Sequence, residues 1–162
     1  MITEDIMEAE ESSLGKWDHR FLTLARHVAT WSIDSSTRVG CVIAGPANEV
    51  RAIGYNGLPR NVDHSPDRLE RPDKYVWMEH AERNAIYTAA RNGVALEGCK
   101  MYLSWFPCVD CARAAIQVGI VEIIAVEPDW SMQPWGPELL KARALLAESN
   151  LRVKIVPSSE IR

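Results

Sequence analysis

Short apolar runs alternate with helix-length segments through the second half of this chain, and no other feature constrains the fold as tightly. Lys100–Ser104, Val121–Val126 and Arg152–Val156 read as strands, with helices over Cys108–Val118 and Pro137–Ser149 between them. A single helix between two strands returns the chain to the end of the sheet it started from. The strands therefore run parallel, through right-handed crossovers. Upstream, Val39–Ala44 and Val50–Gly54 flank the turn formers Gly45-Pro46-Ala47-Asn48 and read as an antiparallel hairpin. Leu14, Trp17, Phe21, Leu24, Val28 and Trp31 recur at helical spacing, a stripe expected to pack inward, with Asp34-Ser35-Ser36-Thr37 as its stop. His27 falls beside that stripe and is expected to pack there. His80–Asn92 reads as a further helix, ended by Asn92-Gly93. The order α-β-β-α-β-α-β-α-β implies an α/β fold, a mixed five-stranded sheet with helices on both faces.

A length of 162 residues suits one domain with a substantial core. No apolar run approaches the ~20 residues of a membrane span, and the start lacks the layout of a secretory signal, so a cytoplasmic location is expected. Glu4, Asp5, Glu8, Glu10 and Glu11 fall within the first 13 positions, which contain no base. Residues 1–13 are read as an acidic, flexible arm and residues 14–162 as the folded domain. The body is then close to neutral, which argues against the long nucleic-acid contacts that need strong positive charge. Residues 60–74 are polar and rich in charge, with Pro66 and Pro72. An excursion of this length reads as a lid, a binding loop or a solvated insertion.

Four cysteines in such a chain suggest metal or redox chemistry at the close pair, not disulfides. Cys108 and Cys111 are three apart at a predicted helix start. They share one face there, and the helix N-terminus favours thiolates. His80-Ala81-Glu82 opens the other helix. With Pro107-Cys108-Val109-Asp110-Cys111 it makes H-x-E…P-C-x-x-C, the residue pattern of zinc deaminases. One imidazole and two thiolates leave the fourth tetrahedral position of Zn2+ open to water, as a catalytic site requires. Glu82 is then the candidate proton shuttle between that water, the ring nitrogen and departing ammonia. Residues two apart on a regular helix point about 200° apart, so His80 and Glu82 reach one metal only at the helix's first turn. A redox Cys-x-x-Cys or half of a structural zinc site are the competing readings. The His-x-Glu and the proline before Cys108 favour catalysis.

Ser35-Ser36-Thr37-Arg38-Val39-Gly40, Gly54-Tyr55-Asn56-Gly57-Leu58-Pro59, His80-Ala81-Glu82-Arg83-Asn84-Ala85-Ile86 and Phe106-Pro107-Cys108-Val109-Asp110-Cys111-Ala112 occur in that order. With these segments the chain resembles the deoxycytidylate (dCMP) deaminase family of the cytidine deaminase-like superfamily, from about Leu14 to Val156. The resemblance implies a three-layer α/β/α cytidine deaminase-like fold and hydrolysis of dCMP to dUMP and ammonia. It implies His80, Cys108 and Cys111 as zinc ligands, Glu82 as proton shuttle, and Asn56 as the residue that hydrogen-bonds the sugar hydroxyl. It further implies homo-oligomers, often hexamers, and in many members activation by dCTP and inhibition by dTTP. The chain departs from the family pattern at Asn61, where Gly is usual, and at Cys41, where Ala is usual. Arg83 occupies the variable position of His-Ala-Glu-x-Asn. The long loop offers His64 but no Cys, so no second, structural zinc is expected.

A monophosphate needs cationic or amide donors. The bases of the 60–74 loop are the candidates, Arg60 first because it follows the Asn56 loop. Six of the chain's aromatics are Trp, against four Tyr and two Phe. Trp105, just before Phe106-Pro107-Cys108, is a candidate floor under the base. Trp130 and Trp135 fall in the loop after the fourth strand, where open α/β sheets border their ligands, and suit base stacking, an oligomer contact or packing. The sequence thus points to a zinc-dependent deaminase of a free cytosine nucleotide, dCMP before CMP, cytidine or guanine. The other reading is a non-catalytic nucleotide-sensing or assembly module. An intact Glu82 opposes it, since sensing requires no proton shuttle.

Overall fold

Residues 14–161 are described by the computed structural model; the acidic arm expected over residues 1–13 lies outside the described residues. The regular elements are α1 (Lys16–Ala29), β1 (Gly40–Ala44), β2 (Val50–Tyr55), α2 (Lys74–Trp77), α3 (Ala81–Arg91), β3 (Lys100–Leu103), α4 (Val109–Gln117), β4 (Glu122–Val126), α5 (Trp135–Glu148) and β5 (Arg152–Val156). The expected order holds, with a 3-10 turn at Pro66–Leu69 added inside the polar excursion and α2 added at its end. The strands form one sheet in the order β2-β1-β3-β4-β5. β1 pairs antiparallel with β2 and β3, whereas β3–β4 and β4–β5 are parallel. β2, β3, β4 and β5 therefore all point the same way. Their carboxyl ends gather Asn56, Trp105 and the loop before α5 along one edge, where open α/β sheets place their ligands.

Successive strand side chains point to opposite faces, and β1, β3 and β4 are covered on both. Cys41, Ile43, Met101, Leu103, Ile123 and Ala125 meet α3, α4 and α5 on one face. Val42, Ala44, Tyr102, Ile124 and Val126 meet α1 on the other. The result is three layers, α/β/α. Two glycines set the spacing between them. A Cβ at Gly40 would lie 2.0 Å from the Ala25 carbonyl oxygen, and one at Gly54 would lie 2.2 Å from that of Ala81. The backbones of α1 and of the first turn of α3 thus rest directly on β1 and β2.

That close approach corrects the expected face of α1. Its buried residues are Asp18, Phe21, Leu22, Ala25, Val28 and Ala29, while Trp17 and Trp31 are exposed. Only small residues fit over Gly40, so the helix turns Ala25 and Ala29 inward and leaves Trp17 on its outer face, with Trp31 exposed just beyond its end. Trp17 instead stacks on Phe21, and Trp31 meets Tyr55 edge-on. Asp18 tolerates the core face because the Tyr102 hydroxyl donates to it at 3.0 Å, with Lys154 3.3 Å away. His27 packs edge-on against Trp31, ring centroids 5.8 Å apart, but remains exposed. α5 starts at Trp135, two residues before the expected Pro137, which still sits in the first turn, where its missing N–H costs nothing. Among the described residues, no helix is long and apolar enough to cross a membrane.

Candidate metal centre and active site

His80 and Cys108 are the N-cap residues of α3 and α4, each with extended backbone (φ −79°, ψ 155° and φ −72°, ψ 172°). His80 is therefore not on the helical wheel of α3. That resolves the angular problem of the His-x-Glu spacing: the imidazole leaves the chain before the helix begins, and Glu82 leaves from its first turn. Cys111 sits in the first turn of α4. The Sγ atoms of Cys108 and Cys111 lie 3.5 and 3.6 Å from His80 Nδ1, and all three donor atoms lie within 4.8 Å of one another. Tetrahedral zinc with Zn–S of about 2.3 Å and Zn–N of about 2.0 Å requires N···S edges of about 3.5 Å. The donor set and its spacing fit zinc; both thiols are buried and His80 is half-buried.

The charges agree. A hydrogen bond from the Cys111 thiol, aided by His80, holds the Cys108 thiol far below its ordinary range. The Cys108 thiolate in turn raises His80. Cys111 is pushed strongly up, first by that same thiolate and then by burial. The cluster thus carries protons that a metal displaces. Burial is the main influence on the Glu82 carboxyl and raises it. Such a shift moves a carboxylate toward the pKa a general acid–base needs near neutrality.

A cleft of about 140 Å³ opens over the cluster, lined by His80, Glu82 and Cys108 at one end. A dry cavity of about 150 Å³ holds a benzene ring, so the volume suits one flat six-membered ring. Trp105 and Phe106 line it, and Tyr75, Met78, Met132 and Trp135 complete the apolar walls. Trp135 packs edge-on against Tyr75, ring centroids 5.4 Å apart. Trp130 stands behind the wall, against Phe106 at 5.1 Å, with its indole N–H donating to Glu127. The two loop tryptophans therefore divide into one lining residue and one packing residue.

Asn56 lines the cleft and is buried. Its Nδ2 donates to the Thr37 carbonyl at 2.9 Å, and its Oδ1 accepts from Val39 N–H at 2.8 Å. One Oδ1 lone pair remains for a ligand. Arg60 is not brought to this cleft. It lines a separate one with Tyr55, Asn84 and Tyr87, and its guanidinium donates to Thr88 Oγ1 at 3.2 Å. The next residue, Asn61, has φ 66°, a left-handed conformation that Asn adopts more readily than most residues other than Gly. The bases that line the cleft are Arg71 and Lys74.

Lys74 is the residue that sequence reading missed most completely. Its ammonium is buried and meets Asp34 Oδ2 at 2.8 Å, Asp34 Oδ1 at 3.1 Å and Ser36 Oγ at 2.5 Å. Asp34 Oδ1 also accepts from the N–H groups of Ser36 and Thr37, at 2.8 and 3.1 Å. This pair ties the excursion to the loop after α1. The available signal was a lysine heading the apolar run Tyr75-Val76-Trp77-Met78, just before His80.

Comparison with known proteins adds lineage to this geometry. Residues 15–127 match the family model described as the cytidine and deoxycytidylate deaminase zinc-binding region. A protein from Aliivibrio fischeri named as an uncharacterized deaminase in the luxG 3' region is 37% identical over 145 residues, 89% of this chain and 96% of its own length. Human deoxycytidylate deaminase is 37% identical over 115 residues, 67% of this chain. The match spans 64% of the human protein, so under two thirds of that relative is represented here. Among solved structures, the dCMP deaminase of cyanophage S-TIM5 in complex with dCMP and dUMP superposes with a TM-score of 0.73. It is 18% identical, and the match covers 89% of this chain and 99% of that one. The last likeness establishes the three-layer fold.

Proposed function

We propose that this chain, which belongs to the cytidine and deoxycytidylate deaminase zinc-binding family, hydrolyses dCMP to dUMP and ammonia. The observation that carries the reading is the cluster of His80 Nδ1 with the Cys108 and Cys111 thiols beside a buried Glu82, at the end of a ring-sized cleft. His80, Cys108 and Cys111 would hold the zinc. When bound, the ion supplies a Lewis acid that makes water a nucleophile at neutral pH. Glu82 accepts the proton of that water, passes it to the ring nitrogen beside the amine-bearing carbon, and returns a proton to the leaving ammonia. Water adds at that carbon and the C–N bond breaks, so the balance is dCMP and water to dUMP and ammonia. Glu82 suits both proton directions because burial raises its carboxyl above the ordinary range.

The remaining lining residues fit a nucleotide. Trp105 and Phe106 give the base an apolar floor, and the free lone pair of Asn56 Oδ1 accepts the sugar hydroxyl. All three N–H groups of Lys74 are committed to Asp34 and Ser36, which leaves Arg71 as the cation that meets the phosphate. Homo-oligomeric assembly and control by dCTP and dTTP belong to the same reading. The test is ammonia release by zinc-loaded protein from dCMP, CMP, dCTP, deoxycytidine, cytosine and guanine, each with and without dCTP or dTTP. Preferred turnover of dCMP is expected. Turnover of guanine or a nucleoside without dCMP would overturn the substrate assignment and retain the zinc chemistry.

A further inference from the structure

Arg83 does not line the cleft and offers no metal donor, yet its side chain is only 22% exposed. Its Nε donates to Glu79 Oε1 at 2.6 Å. The same carboxylate oxygen accepts the backbone N–H of His80 at 3.0 Å. Glu79 is in turn fixed to the loop just after β2 by paired backbone bonds with Gly57, at 2.8 and 3.0 Å. On its other side, Arg83 Nη1 forms an ion pair at 3.6 Å with Asp110 Oδ2. Asp110 lies between Cys108 and Cys111, and Arg113 holds it from the solvent side. One guanidinium therefore spans the segment that supplies the imidazole and the turn that supplies both thiols.

A planar fork with five fixed donors bridges two carboxylates in a way a single ammonium does not. Ligands held at their spacing before the metal arrives bind it more tightly, because the ordering cost is already met. Partners outside the donor set commonly change metal affinity by 10–100-fold. We propose that Arg83 is a positioning residue for the metal centre, clamping His80 to the Cys108–Cys111 turn through Glu79 and Asp110. The proposal rests on reading those three residues as zinc ligands.

The test is zinc affinity, measured by competition with a chromogenic chelator, together with the visible absorption of the Co2+-substituted protein. Arg83→Gln is expected to weaken zinc about tenfold and to broaden the Co2+ bands. Arg83→Lys is expected to stay nearly as weak, since it keeps the charge and loses the span. Arg83→Gln within twofold of wild type, or full recovery in Arg83→Lys, would overturn the proposal. Should the Arg83 variants fold poorly, Asp110→Asn removes one arm at a side chain that is 56% exposed. A smaller loss of affinity is expected there, and none would overturn the clamp. Wild-type protein that fails to hold one equivalent of zinc would instead overturn the metal-centre reading beneath it.

Discussion

Replacing Lys74 with Met should cost more stability than any surface substitution in this protein. The Lys74 ammonium and the Asp34 carboxylate are 6% and 5% exposed and 2.8 Å apart. Removing one partner of a buried pair costs about 3–5 kcal/mol. In Lys74→Met, Asp34 still accepts from Ser36 N–H, Ser36 Oγ and Thr37 N–H, so the cost falls near the lower end, about 3 kcal/mol. Asp34→Ala leaves a buried ammonium with Ser36 Oγ as its remaining partner and falls near the upper end, about 5 kcal/mol. The double variant should cost less than the two together by about 2–3 kcal/mol. The assay is urea unfolding at pH 7, read from midpoint and slope. A second axis is pH. Burial pushes the Asp34 carboxyl up, but Lys74 and the Ser36 and Thr37 donors outweigh it and hold it below its ordinary value. A carboxylate lowered in the folded state stabilises above its unfolded pKa of about 3.9. That contribution is lost as the pH falls from the unfolded value through the lower folded one, so the gap between wild type and Asp34→Ala should begin to narrow below about pH 4 and close at still lower pH. Lys74→Met within about 1 kcal/mol of wild type, against the about 3 kcal/mol expected, or purely additive variants, would refute the reasoning.

Gly54→Ala should destabilise by about 1–3 kcal/mol through overpacking, because its Cβ meets the Ala81 carbonyl at 2.2 Å. It should also weaken zinc, since the first turn of α3 has to move; unfolding and chelator competition read the two effects. Zinc binding near pH 7 should release protons held by His80 and Cys111, so apparent affinity should rise with pH, with the release followed by an indicator dye. Trp135→Ala should raise KM for the nucleotide with little change in Tm, whereas Trp130→Ala, behind Phe106, should lower Tm and leave KM near wild type. Arg71→Ala should raise KM for dCMP and not for deoxycytidine, and Arg60→Ala should change neither.

All five strands were legible because each is a short segment carrying Val, Ile or other apolar residues between turn formers or helix ends, and the parallel half followed from helix-length connections. The metal cluster was legible because its donors recur at spacings that local geometry dictates, three residues apart at one helix start and immediately before another. What escaped was set by contacts distant in sequence. The buried face of α1 depends on Gly40 beneath Ala25, which no helical period reports. Asp34 and Lys74 are 40 residues apart, and the apolar run that Lys74 heads does not report its partner. Arg60 was favoured for its nearness in sequence to Asn56, yet Gly57, Leu58, Pro59 and Arg60 line the separate cleft with Tyr87, and it is Arg71, farther along the chain, that lines the cleft over the metal cluster.

The most direct measurement is deamination of dCMP by zinc-loaded wild type beside zinc-loaded Glu82→Gln. Product is followed by the change in ring absorbance, and zinc content is measured on the same samples. One zinc per chain in both proteins is expected, with turnover in the variant lower by about 10²–10⁴-fold. Equal rates with equal zinc would contradict the assignment of Glu82 as the group that moves the protons.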